Sequence, residues 1–191
     1  MSSLKPSLFI SVFLTIVLHA QLSTPKVREP SSLVKNSSME TDANADQWPD
    51  DWLRNKDATW AEDSGNHFIR LKSPSPGATV LLFQKIAIPG GTKLMELKWR
   101  QRASDLKPGA QAWFDALIMM EFRNAEDKKV SGAPGAPYLR KSTDGWMEKR
   151  MTSKVPDGAT HFAYMPSLFQ VETGTFDLDD FSLSVVEPSG K

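Results

Sequence analysis

Residues 174–186 read GTFDLDDFSLSVV, and this run constrains the fold more than any other part of the chain. Residues two apart share a face of a β-strand. Phe176 and Leu178 therefore occupy one face, whereas Phe181, Leu183 and Val185 have the opposite parity. A strand that stays apolar on one side across that change of phase needs an extra residue. A β-bulge is predicted at Asp179 and Asp180, with a carboxylate turned off the ladder.

The rest of the chain has the same character. A short strand is predicted at 33–34, and longer β-patterned segments at 48–54, 59–62, 66–72, 79–88, 93–103, 113–123, 146–155, 160–170 and 175–186. Between them stand turn residues, at 63–66, 74–77, 89–91, 108–109, 132–137 and 156–158. No segment carries a helical apolar stripe. The expected fold is all-β, a jelly-roll β-sandwich of eight to nine antiparallel strands. Alternation also assigns faces: Met95, Leu97 and Trp99 oppose Glu96, Lys98, Arg100 and Arg102, and Ala116, Ile118, Met120 and Phe122 oppose Asp115, Glu121 and Arg123. A sheet with one oily face and one face of charge mixed with aromatics is half core and half open.

The beginning of the chain reads as an address. After Lys5, the apolar run LFISVFLTIVL at 8–18 has signal-peptide length, and Leu18, His19 and Ala20 form a suitable cleavage site. The run is short for a bilayer span. The predicted organisation is a signal peptide at 1–20, a polar linker with prolines at 21–32, the sandwich domain at 33–188 and a tail at 189–191. A secreted, periplasmic or cell-envelope location follows. The chain has no cysteine, so disulfides cannot hold it and an apolar core, a bound metal or both must do so. Removing 1–20 takes out Lys5 and leaves one more acidic than basic residue. That balance offers nothing to nucleic acid or to an anionic membrane, and neither is an expected partner of the exported chain.

Catalytic motifs are scarce. Outside the signal segment only His67 and His161 remain, and there is no Gly-x-Ser-x-Gly. A glycosidase needs two carboxylates across the scissile bond, and Asp177 with Asp179 is the nearest approximation. Binding of a neutral sugar asks for something else: aromatic rings for the apolar C–H face, and planar polar groups for the hydroxyls. Of the six tryptophans, at 48, 52, 60, 99, 113 and 146, parity sends Trp99 to the core. Arg100, Trp113, Asp115, Trp146, Glu148 and Arg150 are the candidates for an outer carbohydrate-binding groove. Separately, Asp42, Asn44 and Asp46 repeat the alternate oxygen spacing with which a loop wraps calcium, without the full twelve-residue helix-loop-helix signature.

Three stretches in order carry a resemblance: residues 36–52 (Asn-x-Ser-x-Glu, an acidic loop, Trp-Pro-x-x-Trp), then GNHFIRL at 65–71, then FDLDDFSL at 176–183. Together they resemble the secreted carbohydrate-binding modules grouped around families four, nine, sixteen and twenty-two, across about 33–186. Met39 stands where that family usually has an aromatic, and Ser37 where glycine is common. The resemblance implies a non-catalytic, polysaccharide-binding jelly roll with a structural calcium ion tying the first strand to the last. Glu40 and Asp180 would be its side-chain ligands, with the loop of Asp42, Asn44 and Asp46 as a second site or part of the same one. It also implies a glycoside hydrolase on a separate chain as a partner. Two other readings stay open: an extracellular protein-interaction or envelope-structural sandwich, and a glycoside hydrolase with an unfamiliar acid pair.

Overall fold

The structure is a computed structural model that describes residues 31–187; the predicted signal peptide, the linker up to residue 30 and the tail lie outside the described residues. Strand β11 (Thr173–Val185) runs between β2 (Asn66–Lys72) and β5 (Leu94–Lys107). Its register on β5 slips between Asp179↔Arg100 and Ser182↔Lys98, and Asp180 has φ 49°. The expected bulge is there. Phe176 and Leu178 before it and Phe181 and Leu183 after it are all buried, so the extra residue keeps both halves of one strand facing the core.

With β1 (Ala58–Asp63) beside β2, and β9 (Met147–Lys154) beside β5, these strands form a five-stranded antiparallel sheet in the order β1-β2-β11-β5-β9. The second sheet is centred on β10 (His161–Phe169) and β6 (Ala116–Arg123). On one side β10 pairs with β3 (Thr79–Leu81) and β4 (Gln84–Ala87). On the other side β6 pairs with the two-residue strands β7 (Lys129–Val130) and β8 (Tyr138–Leu139). The described residues contain no helix. This is the expected all-β jelly-roll sandwich.

The segment 79–88 is two strands rather than one, and Pro166 explains the break. Leu82 donates its N–H to the Pro166 carbonyl at 3.0 Å, but proline has no N–H to return to Leu82. Between the sheets lie Phe68's neighbours Ile69 and Leu71, with Leu97, Trp99, Phe122, Phe162, Phe176 and Phe181. Tyr164 belongs there too, stacked on Phe181 with ring centroids 3.5 Å apart. Burial pushes its phenol well above the ordinary tyrosine range.

Residues 33–34 and 48–54 are not strands. Leu33 does lie against β11, donating to the Leu183 carbonyl at 2.7 Å, but the chain then turns. Gln47 and Asp51 take positive φ, and Trp48 and Trp52 are both buried. Each indole finds a backbone carbonyl, that of Trp52 for Trp48 (2.8 Å) and that of Asn36 for Trp52 (3.1 Å). Two tryptophans four residues apart plug the mouth of the core as a coil.

Candidate functional site

The outward face of the five-stranded sheet carries a continuous polar lattice. Because Met95, Leu97 and Trp99 point inward, Glu96, Lys98, Arg100 and Arg102 of β5 point outward. Register then sets Asp177 opposite Arg102 and Asp179 opposite Arg100 on β11, and Glu148 opposite Arg100 and Arg150 opposite Lys98 on β9. The Asp177 carboxylate accepts from Arg70 Nε and Nη2 (both 2.8 Å) and from Arg102 Nε (2.7 Å). Arg102 also reaches Asp63 at 3.1 Å, holding that carboxyl below its ordinary range chiefly through the hydrogen bond. Asp179 accepts from Asn66 at 2.9 Å and Arg100 at 3.3 Å. Burial nevertheless pushes the Asp179 carboxyl up, with Asp180 adding to the shift and Asn66 and Arg100 opposing it. Arg150 closes on the buried Glu96.

Two aromatic rings are set into this lattice. Trp146, immediately before β9, lies under the guanidinium groups of Arg100 (4.9 Å to the ring centroid) and Arg102 (4.5 Å). Its ring meets that of Phe68 edge-on at 5.3 Å, and Phe68 is flanked in turn by Arg70 and Arg102. Cation–π contacts of this kind hold both partners in place. Beside them opens a groove of about 840 Å³ lined by Lys98, Arg100, Glu148, Arg150, Asp180, Ser182 and Ser184, with Ser32 and Ser37. Sequence parity picks out Arg100, Trp146, Glu148 and Arg150, and the structure brings these four together. Arg102 and Phe68 were missed as site residues, although each has the outward parity of its strand.

Trp113 and Asp115 are elsewhere. They precede β6, on the other sheet, and Trp113 is 63% exposed. Asp115 is 2% exposed, so it cannot line an outer groove. Strand alternation does not apply to it because β6 begins at Ala116. Arg140, in the segment after β8, covers it at 3.3 Å, while Oδ1 is buried with no hydrogen-bond partner among the described residues. Burial raises its carboxyl pKa against the opposing charge of Arg140.

The oxygens of the expected calcium ligands have partners within the protein. Asp42 accepts the N–H groups of Asp46 (3.1 Å) and Gln47 (2.9 Å), and Asn44 accepts that of Asp46 (3.0 Å); Asp46 itself pairs with Arg54. These oxygens satisfy the turn that carries them. Glu40 takes two contacts from His67, the backbone N–H and Nδ1, both at 2.8 Å. His67 shares its side of β2 with the inward Ile69 and Leu71, and stacks on Trp60 at 4.1 Å. Asp180 is engaged on the outward side, by Arg100 at 3.3 Å. Among the described residues no three or more His, Cys, Asp or Glu side chains converge as a metal site.

No family profile matches the sequence, and no curated protein is significantly similar to it. Solved structures are similar in fold. The enzymatically active domain of tailspike protein 4 from bacteriophage CBA120 superposes with a TM-score of 0.62 at 14% identity, over 81% of this chain and 21% of that one. This chain thus spans about a fifth of the length of that domain. TmCBM61, solved in complex with β-1,4-galactotriose, gives 0.51 at 12% identity over 82% of this chain and 99% of that one. A CBM4 structure gives 0.51 at 16% identity, over 79% and 98%. The chain has the fold of a carbohydrate-binding module. In that fold the lattice of Arg100, Arg102, Asp177 and Asp179 occupies the outward face of one sheet, while Trp113 stands with the other.

Proposed function

We propose that the protein is a non-catalytic polysaccharide-binding protein whose glycan lies along the outward face of the five-stranded sheet. The observation that carries this reading is Trp146, an indole fixed by Arg102, Phe68 and Arg100, the last of which also lines the polar groove. The ring face away from the two guanidinium groups is the platform for sugar C–H groups in this reading. Arg100, Glu148, Arg150 and Ser182 supply donors and acceptors for hydroxyls on either side. Modules of this fold solved with an oligosaccharide, such as TmCBM61, support the reading.

The acid pair of Asp177 and Asp179 is closed to a substrate on this face. Asp177 and Asp179 are 2% and 0% exposed, and their oxygens are engaged by arginines and Asn66. A glycosidase acid must reach the glycosidic oxygen. Export by the 1–20 segment and cooperation with a glycoside hydrolase on another chain complete the proposal. Calcium is left out of it.

Pull-down on a panel of insoluble polysaccharides tests the function. The wild-type chain is expected to be retained on at least one, and Trp146→Ala to be released while still melting cooperatively. Trp146→Phe, which keeps a ring, should retain part of the binding. Failure of every polysaccharide to retain the wild type, or equal retention of Trp146→Ala, overturns the reading.

A further inference from the structure

We infer that the glycan held on the outward face is acidic, a chain in which uronic acid residues stand among neutral sugars, and that Lys98, Arg150 and Ser182 receive its carboxylate; this rests on the polysaccharide-binding reading above. The register sets the three side by side. Lys98 of β5 is directly opposite Arg150 of β9 on one side and Ser182 of β11 on the other, and all three line the groove. Like charges directly opposite one another weaken a sheet. Two cations kept in that relation inside a groove are a departure from local rules of the sort that binding sites carry.

Their charge is answered only from below. Both turn to one carboxylate, Glu96, which Lys98 meets at 3.3 Å and Arg150 meets through Nε and Nη2. The Glu96 side chain is 8% exposed, against 35% for Lys98 and 66% for Arg150. The anion thus lies beneath and the cations face the solvent. A guanidinium has five N–H donors, and Arg150 Nη1 has no hydrogen-bond partner among the described residues. That planar donor edge suits a carboxylate, with the Ser182 hydroxyl two strands away as a further donor.

The rest of the face limits how much charge the ligand carries. Trp146, Glu148 and Arg150 alternate along β9 and its approach, so their rows are about 7 Å apart. The middle row holds Glu148 opposite Arg100, and Asp180, 47% exposed, is paired with the same arginine. Two acids there repel a second carboxylate and accept hydroxyls instead. The Trp146 row beyond takes the C–H face of a neutral ring. A sugar bearing one carboxylate beside neutral neighbours satisfies all three rows, whereas a densely sulfated chain sets anions against Glu148 and Asp180.

The test uses the whole chain and beads carrying glucuronoxylan or hyaluronan, each native and after carbodiimide activation and borohydride reduction of its carboxyls to primary alcohols, with dextran sulfate beads as the dense polyanion. The wild type is expected to bind at least one native polymer about tenfold or more tightly than its reduced form, because charge-assisted hydrogen bonds are about twice as strong as neutral ones. The difference should shrink in 1 M salt, where the screening length is about 3 Å. Arg150→Gln should erase the difference between native and reduced polymer, and Arg150→Lys, which keeps the charge, should preserve part of it. Equal retention of the wild type on native and reduced polymers, retention on neutral polysaccharides alone, or tighter retention on dextran sulfate overturns the acidic ligand and leaves the groove standing. Carboxyl reduction decides this on the wild type, whatever the variants do to stability. If no polysaccharide, neutral or acidic, retains the wild type, the parent reading fails and takes this one with it.

Discussion

Asp177→Asn probes the buried charge beneath the groove. In the native sheet the carboxylate, 2% exposed, accepts three guanidinium hydrogen bonds from Arg70 and Arg102. Asparagine keeps the volume but has one acceptor oxygen, and its NH₂ faces donors. With that oxygen in the Oδ2 place the bonds from Arg70 Nη2 and Arg102 Nε remain but lose their anionic partner, and the one from Arg70 Nε is lost. A hydrogen bond to a charged group contributes about 1.5–3 kcal/mol and a neutral one about 0.5–1.5 kcal/mol, so one bond lost and two weakened set a gross loss of about 3–6 kcal/mol. The Arg70 and Arg102 side chains are 37% and 23% exposed, so water takes up part of their unmet demand, and a net loss of about 2–3 kcal/mol is expected. For a domain of this size each kcal/mol lowers Tm by about 2–4 °C, giving a fall of about 5–10 °C by circular dichroism. Asp157→Asn serves as the control, because that carboxylate is 98% exposed beside Lys93 and its loss should leave the melt unchanged. A Tm for Asp177→Asn within about 1 °C of wild type would refute the claim that this carboxylate holds the outward face together.

Other perturbations separate the remaining claims. Asp115 has its pKa raised in the folded state, so its charged form opposes folding; Asp115→Asn should raise Tm at pH 7. That advantage should shrink as pH falls through the raised folded pKa and vanish below the ordinary aspartate value, and an advantage that instead grows in acid would contradict the assignment. Gly109→Ala forces a methyl group onto a backbone oxygen and is expected to lower Tm by several degrees and to free the Trp113 loop, which hydrogen exchange would detect. Since Glu40 is joined to β2 through His67, a chelator should leave Tm unchanged; a chelator-induced fall reversed by added calcium would restore the ion.

Much of the architecture was written in local alternation. The bulge was legible because Phe176 and Leu178 change parity against Phe181 and Leu183, and β2 was legible to the residue because Asn66 and Lys72 bound an uninterrupted alternation. Residues 48–54 misled because their two tryptophans pack as a turn, which only the distant partners Val34, Met39 and Phe181 reveal. The site was half legible. Arg100, Glu148 and Arg150 follow from parity on paired strands, but parity is meaningless outside a ladder, and so Asp115 was set facing solvent when Arg140 covers it. Spacing suggested a cation at Asp42, Asn44 and Asp46 because a self-capped turn and a metal loop use the same side chains.

The bulge at Asp180 gives β11 something like a reading frame. With Asp179 and Asp180 both in a regular ladder and no bulge to absorb one of them, Ser182 and Ser184 would turn inward and Phe181 and Leu183 would be expelled to the outside. Deleting one of the two restores simple alternation and keeps the oily side chains inward, so the extra residue serves not the core but the carboxylate that the bulge sets off the ladder.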